Sequence, residues 1–515
     1  MQTLHFHTNR IFLLVSILFF ILFIIIAHQK LFKYIDENDQ MLYNSKKLIN
    51  PKIYRVIKEE KHYGEQLSFP KQGLPHIKED VVEYGLLNVE RIVDSEVADR
   101  LQIHMKKIDF SKLIPLECPV NITLEEFWKE SKFKQVSKLD SWEVFYSKIS
   151  SCEVYQEGSH MDQLLHDLNT MEIKSAHIME GGTQIKLLFT FINDKQAVFK
   201  PMRFGRDYET DENHFYFGDF ERHNAEIATY HLDKILGYRR AVPTVGRVVN
   251  LTSEILEKAE KNLKKTFFLS PVKNTCFVGK CDYYCDTTHA ICGSPHLKEG
   301  SVQVFLPDDN VVPRRHNKSP YRRTYSKKKL LAAWQTNMNY CNWNVKTKKK
   351  FAHGRKLLDL IDLHIMDFLI GNQDRHHFET FEVFEKAHPY AIHLDNGRAF
   401  GKTAFDDEDI LLPLRQCCII RASTLLKLMS YYTGEKGLTE KLHESMSLDP
   451  VQPILAYKHY PAMERRLDYI MKQILECLEK NIDTPENVVM AEFHNDHVAR
   501  PIDGEKVEEE DAKDD

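Results

Sequence analysis

The 515-residue sequence has no surplus of basic charge and no internal repeat. Lys and Arg total 70 against 75 Asp and Glu, a net charge of −5, which leaves no bulk electrostatic case for a nucleic-acid partner. Nothing in the composition marks a disordered or fibrous chain. With 43% hydrophobic and 28% charged residues, it is long enough for one large or two medium domains with a substantial core.

Long apolar runs are scarce too, but one stands out. Ile11 to Ala27 carries no charge and has Ser16 as its conspicuous polar member. At about 1.5 Å per residue it just crosses a thin bilayer core, and suits either an uncleaved signal anchor or the apolar region of a signal peptide. Arg10 on one side and Lys30 and Lys33 on the other leave its orientation open by charge. Ten cysteines beyond the run, an even number, and the sequons at Asn121, Asn250 and Asn317 favour a lumenal, disulfide-bonded and glycosylated chain.

Residues 28–75 read as a polar stem, and Thr-Leu-Glu-Glu at 123–126 as the cap of a helix over Leu124 to Phe133. Ile185, Leu187, Phe189 and Phe191, then Ala197 to Lys200, alternate around Asn193-Asp194-Lys195 and predict a β-hairpin. Glu221 to Tyr238 follows as an amphipathic helix, and Leu357 to Ile370 as a helix with one buried face. Residues 313–329 are strongly basic and suit a solvated loop or a contact for acidic substrate. Tyr390 to Leu394 reads as a strand running into Asp395-Asn396-Gly397, and the tail beyond about 485 turns acidic.

This order of elements supplies the parts phosphoryl transfer requires: a lysine for the phosphates, a helix carboxylate, a base and an acidic metal ligand. Lys200 ends the hairpin, Glu221 and Glu226 open the next helix, Asp374 follows a buried helix, and Asp395 begins a tight turn. The motifs of ordinary protein kinases are missing. No G-x-G-x-x-G precedes Lys200, only Gly181-Gly182-Thr183-Gln184, and no H-R-D-L-x-x-x-N surrounds Asp374.

At these residues the chain resembles the Golgi casein kinase group, the family with sequence similarity 20. The resemblance is carried by Phe215-Tyr-Phe-Gly-Asp-Phe-Glu-Arg-His-Asn-Ala-Glu-Ile227, Asp367-Phe-Leu-Ile-Gly-Asn-Gln-Asp-Arg-His-His377, His393-Leu-Asp-Asn-Gly-Arg398 and the cysteine block 276–292. It implies an α+β, atypical two-lobed kinase-like fold over 155–485 with disulfide-stapled loops. An N-terminal lumenal segment at 76–154 would pack on it, and a cytoplasmic tail at 1–10, an anchor at 11–27, the stem and a disordered tail at 486–515 would flank it. Position by position, it implies Lys200 on the phosphates, Gln184 above the nucleotide, and Gln303, Val304, Phe305 and Leu306 as the hinge under adenine. Glu379 would contact nucleotide or metal, Glu221 and Asp395 would hold Mn2+, with Mg2+ an alternative, and Asp374 would be the base.

The activity so implied is transfer of the ATP γ-phosphate to serine in Ser-x-Glu sites of secreted and extracellular-matrix proteins. The implied setting is the Golgi membrane or the secreted state, with homo- or hetero-dimerisation a further expectation. A xylose (glycan) kinase and a pseudokinase partner are the alternatives. A glycosyltransferase using Asp406-Asp407-Glu408-Asp409 would not need the kinase order of residues.

Cysteine spacing leaves many pairings open. Cys281 and Cys285, enclosed by Cys276 and Cys292, suit nested bridges, and adjacent Cys417 and Cys418 each require a distant partner. The family pattern implies Cys341 with Cys417 and Cys418 with Cys477, leaving Cys118 with Cys152.

Overall fold

The structure, a computed structural model, describes residues 89–492 apart from 116, 117, 119, 120, 131–139, 180, 212, 213, 325–330, 353, 354 and 388. The apolar run at 11–27, the stem and the end of the acidic tail lie outside the described residues. Among the described residues no helix is long and apolar enough to cross a membrane.

Two hydrophobic cores divide the fold. One lies around an antiparallel sheet of β1 (Ile173–Ile178), β2 (Leu187–Phe191), β3 (Gln196–Pro201), β4 (Thr244–Asn250) and β5 (Leu297–Val304), ordered β1-β2-β3-β5-β4. Helices α1 (Ser141–Lys148) and α2 (Ser159–Thr170) supply Trp142, Phe145, Leu164 and Leu168 to this core. The hairpin read from alternation is β2 and β3, paired Leu187 to Phe199, with its odd positions buried on one face. The second core is helical. It gathers α4 (Lys356–Ile370), α5 (Ala422–Thr433) and α6 (His459–Lys480), while α3 (His223–Leu236) contributes Ala225, Ile227, Ala228 and Leu232 to it and Tyr230 to the sheet core.

Several sequence readings are corrected. The helix expected from Glu221 starts at His223, because Arg222 is extended, and it ends at Gly237 in the left-handed conformation. The Thr123–Glu126 capping box forms, but the described helix spans Leu124–Glu130, and 131–133 lie outside the described residues. Leu357 to Ile370 is buried all round rather than on one face, because Arg240 and Arg421 from distant segments satisfy Asp359 and Asp362, and Arg375 from the loop that follows satisfies Asp367. Tyr390 to Leu394 forms only isolated bridges, at Ile392 and His393. The basic loop is in part a strand, β6 (Arg314–Lys318), paired antiparallel to β7 (His377–Phe381) directly after the Asp374 loop. Beyond 485, where a disordered tail is expected, Val489–Met490 pairs parallel with Ile420–Arg421 and is buried.

All five disulfides form with the expected partners: 118 with 152, 276 with 292, 281 with 285, 341 with 417 and 418 with 477. Of the sequons, Asn121 is exposed, while the Asn250 side-chain oxygen accepts from the Thr252 and Ser253 amides. Asn317 is corrected as a glycan acceptor. It is only 9% exposed, and its Nδ2 donates to Arg315 O and Thr380 Oγ1 across the β6–β7 pair.

Candidate active site

The sheet presents Lys200 near the end of β3, where the side chain is buried but its ammonium reaches a cleft of about 190 Å³. Its Nζ donates to Glu226 Oε1 at 2.6 Å and lies 3.2 Å from Glu221 Oε2 and 3.9 Å from Asp395 Oδ1. Burial pulls the ammonium down, but these three carboxylates outweigh it and hold Lys200 above an ordinary lysine. Glu226 also accepts from the Asn396 amide, at 3.2 Å, so α3 is tied to the Asp-Asn-Gly turn.

That turn is held by shape as well as charge. Asp395 has φ +54°, a left-handed conformation that Asp tolerates better than most residues. A Cβ on Gly397 would stand 3.1 Å from Glu221 Cβ and Cγ, so glycine permits the turn to pass the metal-ligand candidate. Asp395 sits in the cleft, a place that works against ionisation. Lys200, Lys186, His377 and Arg375 nevertheless hold its carboxyl down at about 2.

From the helical side, α4 ends at Gly371 in the left-handed conformation, and the chain then turns into Asp374. Arg375 makes two bonds to Asp367 at 2.8 and 2.9 Å and one to Asn396 Oδ1 at 2.6 Å, locking this loop to the Asp395 turn. Arg398 donates to Asp374 Oδ2 through one guanidinium nitrogen and to Thr183 Oγ1, at 2.8 Å, through another. The base candidate is thus clamped between the turn and the loop before β2. Lys200, Glu221, Asp374, Asp395 and Arg398 all line the one cleft.

Other expected site residues stand elsewhere. Gln184 is 3% exposed, and its amide is consumed inside the protein, donating to Asp219 O at 2.6 Å and accepting from the Glu221 amide at 2.9 Å. These bonds position Glu221, and Gln184 is not among the cleft-lining residues. Gln303, Val304, Phe305 and Leu306 are not among the cleft-lining residues. The Phe305 amide donates to Gln196 O, and its carbonyl accepts from the Tyr146 hydroxyl. Glu379 on β7 lines a smaller neighbouring hollow with Asp374 and Asp395, where Arg314 Nε holds its Oε2 at 2.9 Å. In the basic segment, Arg314, Arg315 and Arg323 each hold a carboxylate of the protein itself, which weakens the acidic-substrate reading. The acidic run 406–409 is likewise taken up, by Arg465, Arg466 and Arg323 among others.

Three functional positions escaped the sequence reading. Glu226 was seen at the helix start but without its role as the closest partner of Lys200. Arg398 clamps the base. His393 bonds through Nδ1 to Asp233 Oδ2 at 2.7 Å, both fully buried, which anchors the approach to Asp395 on α3. The signal for all three was present, because each lies inside a stretch carrying the family resemblance.

A lysine clamped by a helix carboxylate and a second just before the helix, a loop aspartate and another aspartate on a glycine turn, gathered at one cleft between a sheet core and a helical core, define the site class of a kinase-like phosphotransferase. Residues 140–485 match the family described as Golgi casein kinase, C-terminal, Fam20, and the chain belongs to this family. It is 66% identical over 394 residues to the extracellular serine/threonine protein kinase CeFam20 of Caenorhabditis elegans, covering 76% of this chain and 77% of that one. It is 40% identical over 340 residues to the human glycosaminoglycan xylosylkinase, covering 66% and 80%. A crystal structure of the Golgi casein kinase with Mn/ADP bound superposes with a TM-score of 0.76 at 61% identity, covering 81% of this chain and 97% of that one.

Proposed function

We propose that the chain is a serine protein kinase of the secretory pathway that transfers the ATP γ-phosphate to serine in Ser-x-Glu sites of secreted proteins. The observation that carries this reading is the single cleft in which Lys200, Glu221, Asp374 and Asp395 face one another. The Lys200 ammonium binds and orients the phosphates, with Glu226 keeping it charged and in place. Asp374 accepts the hydrogen bond of the incoming serine hydroxyl and takes its proton, while Arg398 fixes the direction of the carboxylate.

Glu221 and Asp395 offer the oxygen ligands that Mn2+ or Mg2+ takes, and three carboxylates around one ammonium leave an excess that a divalent cation would balance. When bound, such an ion neutralises charge developing on the transferred phosphoryl group. Glu379, near Asp395, is read as a further contact for nucleotide or metal, and residues 303–306 as the adenine edge. The five disulfides fit an oxidising lumen, and residues 11–27 are read as the anchor that holds the chain at the Golgi membrane before any release. Pairing with a related family member fits the same setting.

The test is incubation of the purified full chain with ATP and Mn2+ and three acceptors: a Ser-x-Glu peptide, its Ser-x-Ala counterpart and a xylose-containing tetrasaccharide. Phosphate on the first alone is expected. Phosphate on the sugar alone would replace the acceptor assignment with the glycan one, and no transfer to any acceptor would sink the enzyme reading.

A further inference from the structure

β6 and β7 bring together a ligand set of which the reaction above uses only Glu379. His316 pairs directly opposite Glu379 in the antiparallel register, and His377 stands two residues before Glu379 on the same strand. Alternation therefore puts all three side chains on one face of the ribbon. Their ligating atoms lie within 4.8 Å of one another, and theirs is the one such His/Cys/Asp/Glu group among the described residues.

The parts are oriented for coordination. His316 Nε2 is 3.1 Å from Glu379 Oε1, and the His316 and His377 rings are 5.1 Å apart between centroids. The other Glu379 oxygen is held by Arg314, itself fixed by the Pro307 carbonyl at 2.7 Å and by Asp309. A carboxylate held by Arg314 through one oxygen and turned to His316 through the other, with His377 beside it, is the donor set of a three-ligand site with a free fourth position.

We propose that His316, His377 and Glu379 form a second metal site, distinct from the Glu221–Asp395 pair, that takes a borderline divalent ion of the Zn2+ class. Two nitrogen donors and one oxygen favour such an ion over the all-oxygen preference of Mg2+. Occupation fixes the β6–β7 ribbon beside the Asp374 loop. It also engages Glu379, so an ion here competes with nucleotide for that carboxylate; this consequence, though not the site, rests on the nucleotide reading above.

The test uses the purified full chain, stripped of metal and free of nucleotide, titrated with Co2+ by visible absorption and then with Zn2+ in competition. An Asp395→Asn background disables the phosphate-side site. About one equivalent of Co2+ is expected, displaced by Zn2+, with affinity reduced at least about tenfold by His316→Ala and by His377→Ala. His316 is 67% exposed, so its variant should fold normally, which an unchanged unfolding temperature without metal checks. Equal Co2+ affinity and spectrum in His316→Ala would overturn the site. In a second arm Zn2+ should inhibit Mn2+-dependent transfer by the wild-type chain, and His316→Ala should relieve that inhibition while leaving the Mn2+-dependent transfer measured without Zn2+ unchanged. Binding without inhibition would overturn the coupling to nucleotide and keep the site.

Discussion

At the cleft, Lys200 meets Glu221, Glu226 and Asp395, one cation among three carboxylates. In the helical half, Arg240, Arg355 and Arg421 surround Asp359 and Asp362, with Arg240 3.0 Å from one aspartate and 3.1 Å from the other. The helical cluster is sealed: Asp359 is 1% exposed, Asp362 0%, and Thr424 Oγ1 supplies a further bond to Asp362 at 2.7 Å. The cleft cluster is unbalanced and open on one side. Buried charges are tolerated when they are paired and hydrogen-bonded, so a sealed cluster of ion pairs holds the fold while an open one with surplus carboxylates is set up to accept a cation. Removing a carboxylate should therefore have opposite signatures in the two places.

The largest effect is expected from Asp362→Ala, which leaves Arg240 and Arg421 with a buried charge incompletely met. Unfolding free energy should fall by about 3–5 kcal/mol in denaturant titration, with transfer per folded molecule retained. A change under 1 kcal/mol would mean that the network is not what holds α4. At the cleft, Asp395→Asn keeps a residue type that accepts the positive φ and removes only the charge. It should leave the unfolding transition close to wild type and lower Mn2+-dependent transfer at least about a hundredfold. Loss of folding with retained specific activity would reverse the assignment of the two clusters.

The same contrast explains how much was legible in the sequence. The hairpin, Lys200, Asp374 and Asp395 were readable because each sits at a local boundary: the end of an alternating run, the residue after a buried helix, a glycine turn. The helical cluster was not, because only Arg355 stands at helical spacing from Asp359, while Arg240 and Arg421 come from segments that no spacing brings to α4. Read alone, the aspartates of α4 indicated a helix with one wet face. Nor could the sequence show that Arg314 on β6 is spent on Glu379, since the pairing of β6 with β7 spans about sixty residues of intervening chain. The internal bonds of Gln184 were illegible for a related reason, as its amide partners at Asp219 and Glu221 are set by tertiary approach.

A smaller effect separates positioning from charge within the cleft itself. Arg398→Ala should lower kcat about ten- to a hundredfold while changing the KM for ATP little, because Arg398 touches Asp374 and Thr183 rather than Lys200. Arg398→Lys should recover part of the loss, since one ammonium can meet Asp374 but cannot span to Thr183 as the planar guanidinium does. An equal rise in KM with unchanged kcat would place Arg398 on the nucleotide instead.

The smallest effects per residue concern buried groups that remain neutral for want of a carboxylate partner in hydrogen-bonding contact. Burial pushes His231 down to about 3, with Lys234 adding to the shift. Burial likewise takes His364 to about 4 against the opposing pull of Asp367 and the Ile410 carbonyl, and His459 to about 4 against Glu209. In each case the folded value lies below the unfolded one of about 6.5, so the folded chain binds fewer protons. The stability these histidines allow is present above pH 6.5 and is lost as pH falls toward 4. Between pH 7 and 5 the loss should be roughly 1–2 kcal/mol for each, measurable as proton uptake on unfolding in denaturant with the disulfides intact. His231 accepts or donates through Nδ1 to Ser445 at 2.8 Å, a bond that asparagine can imitate. His231→Asn should therefore fold and flatten the pH dependence by about one proton's worth near pH 5. An unchanged slope would show that this histidine titrates in the folded chain as it does in the unfolded one, and that its burial does not exclude charge.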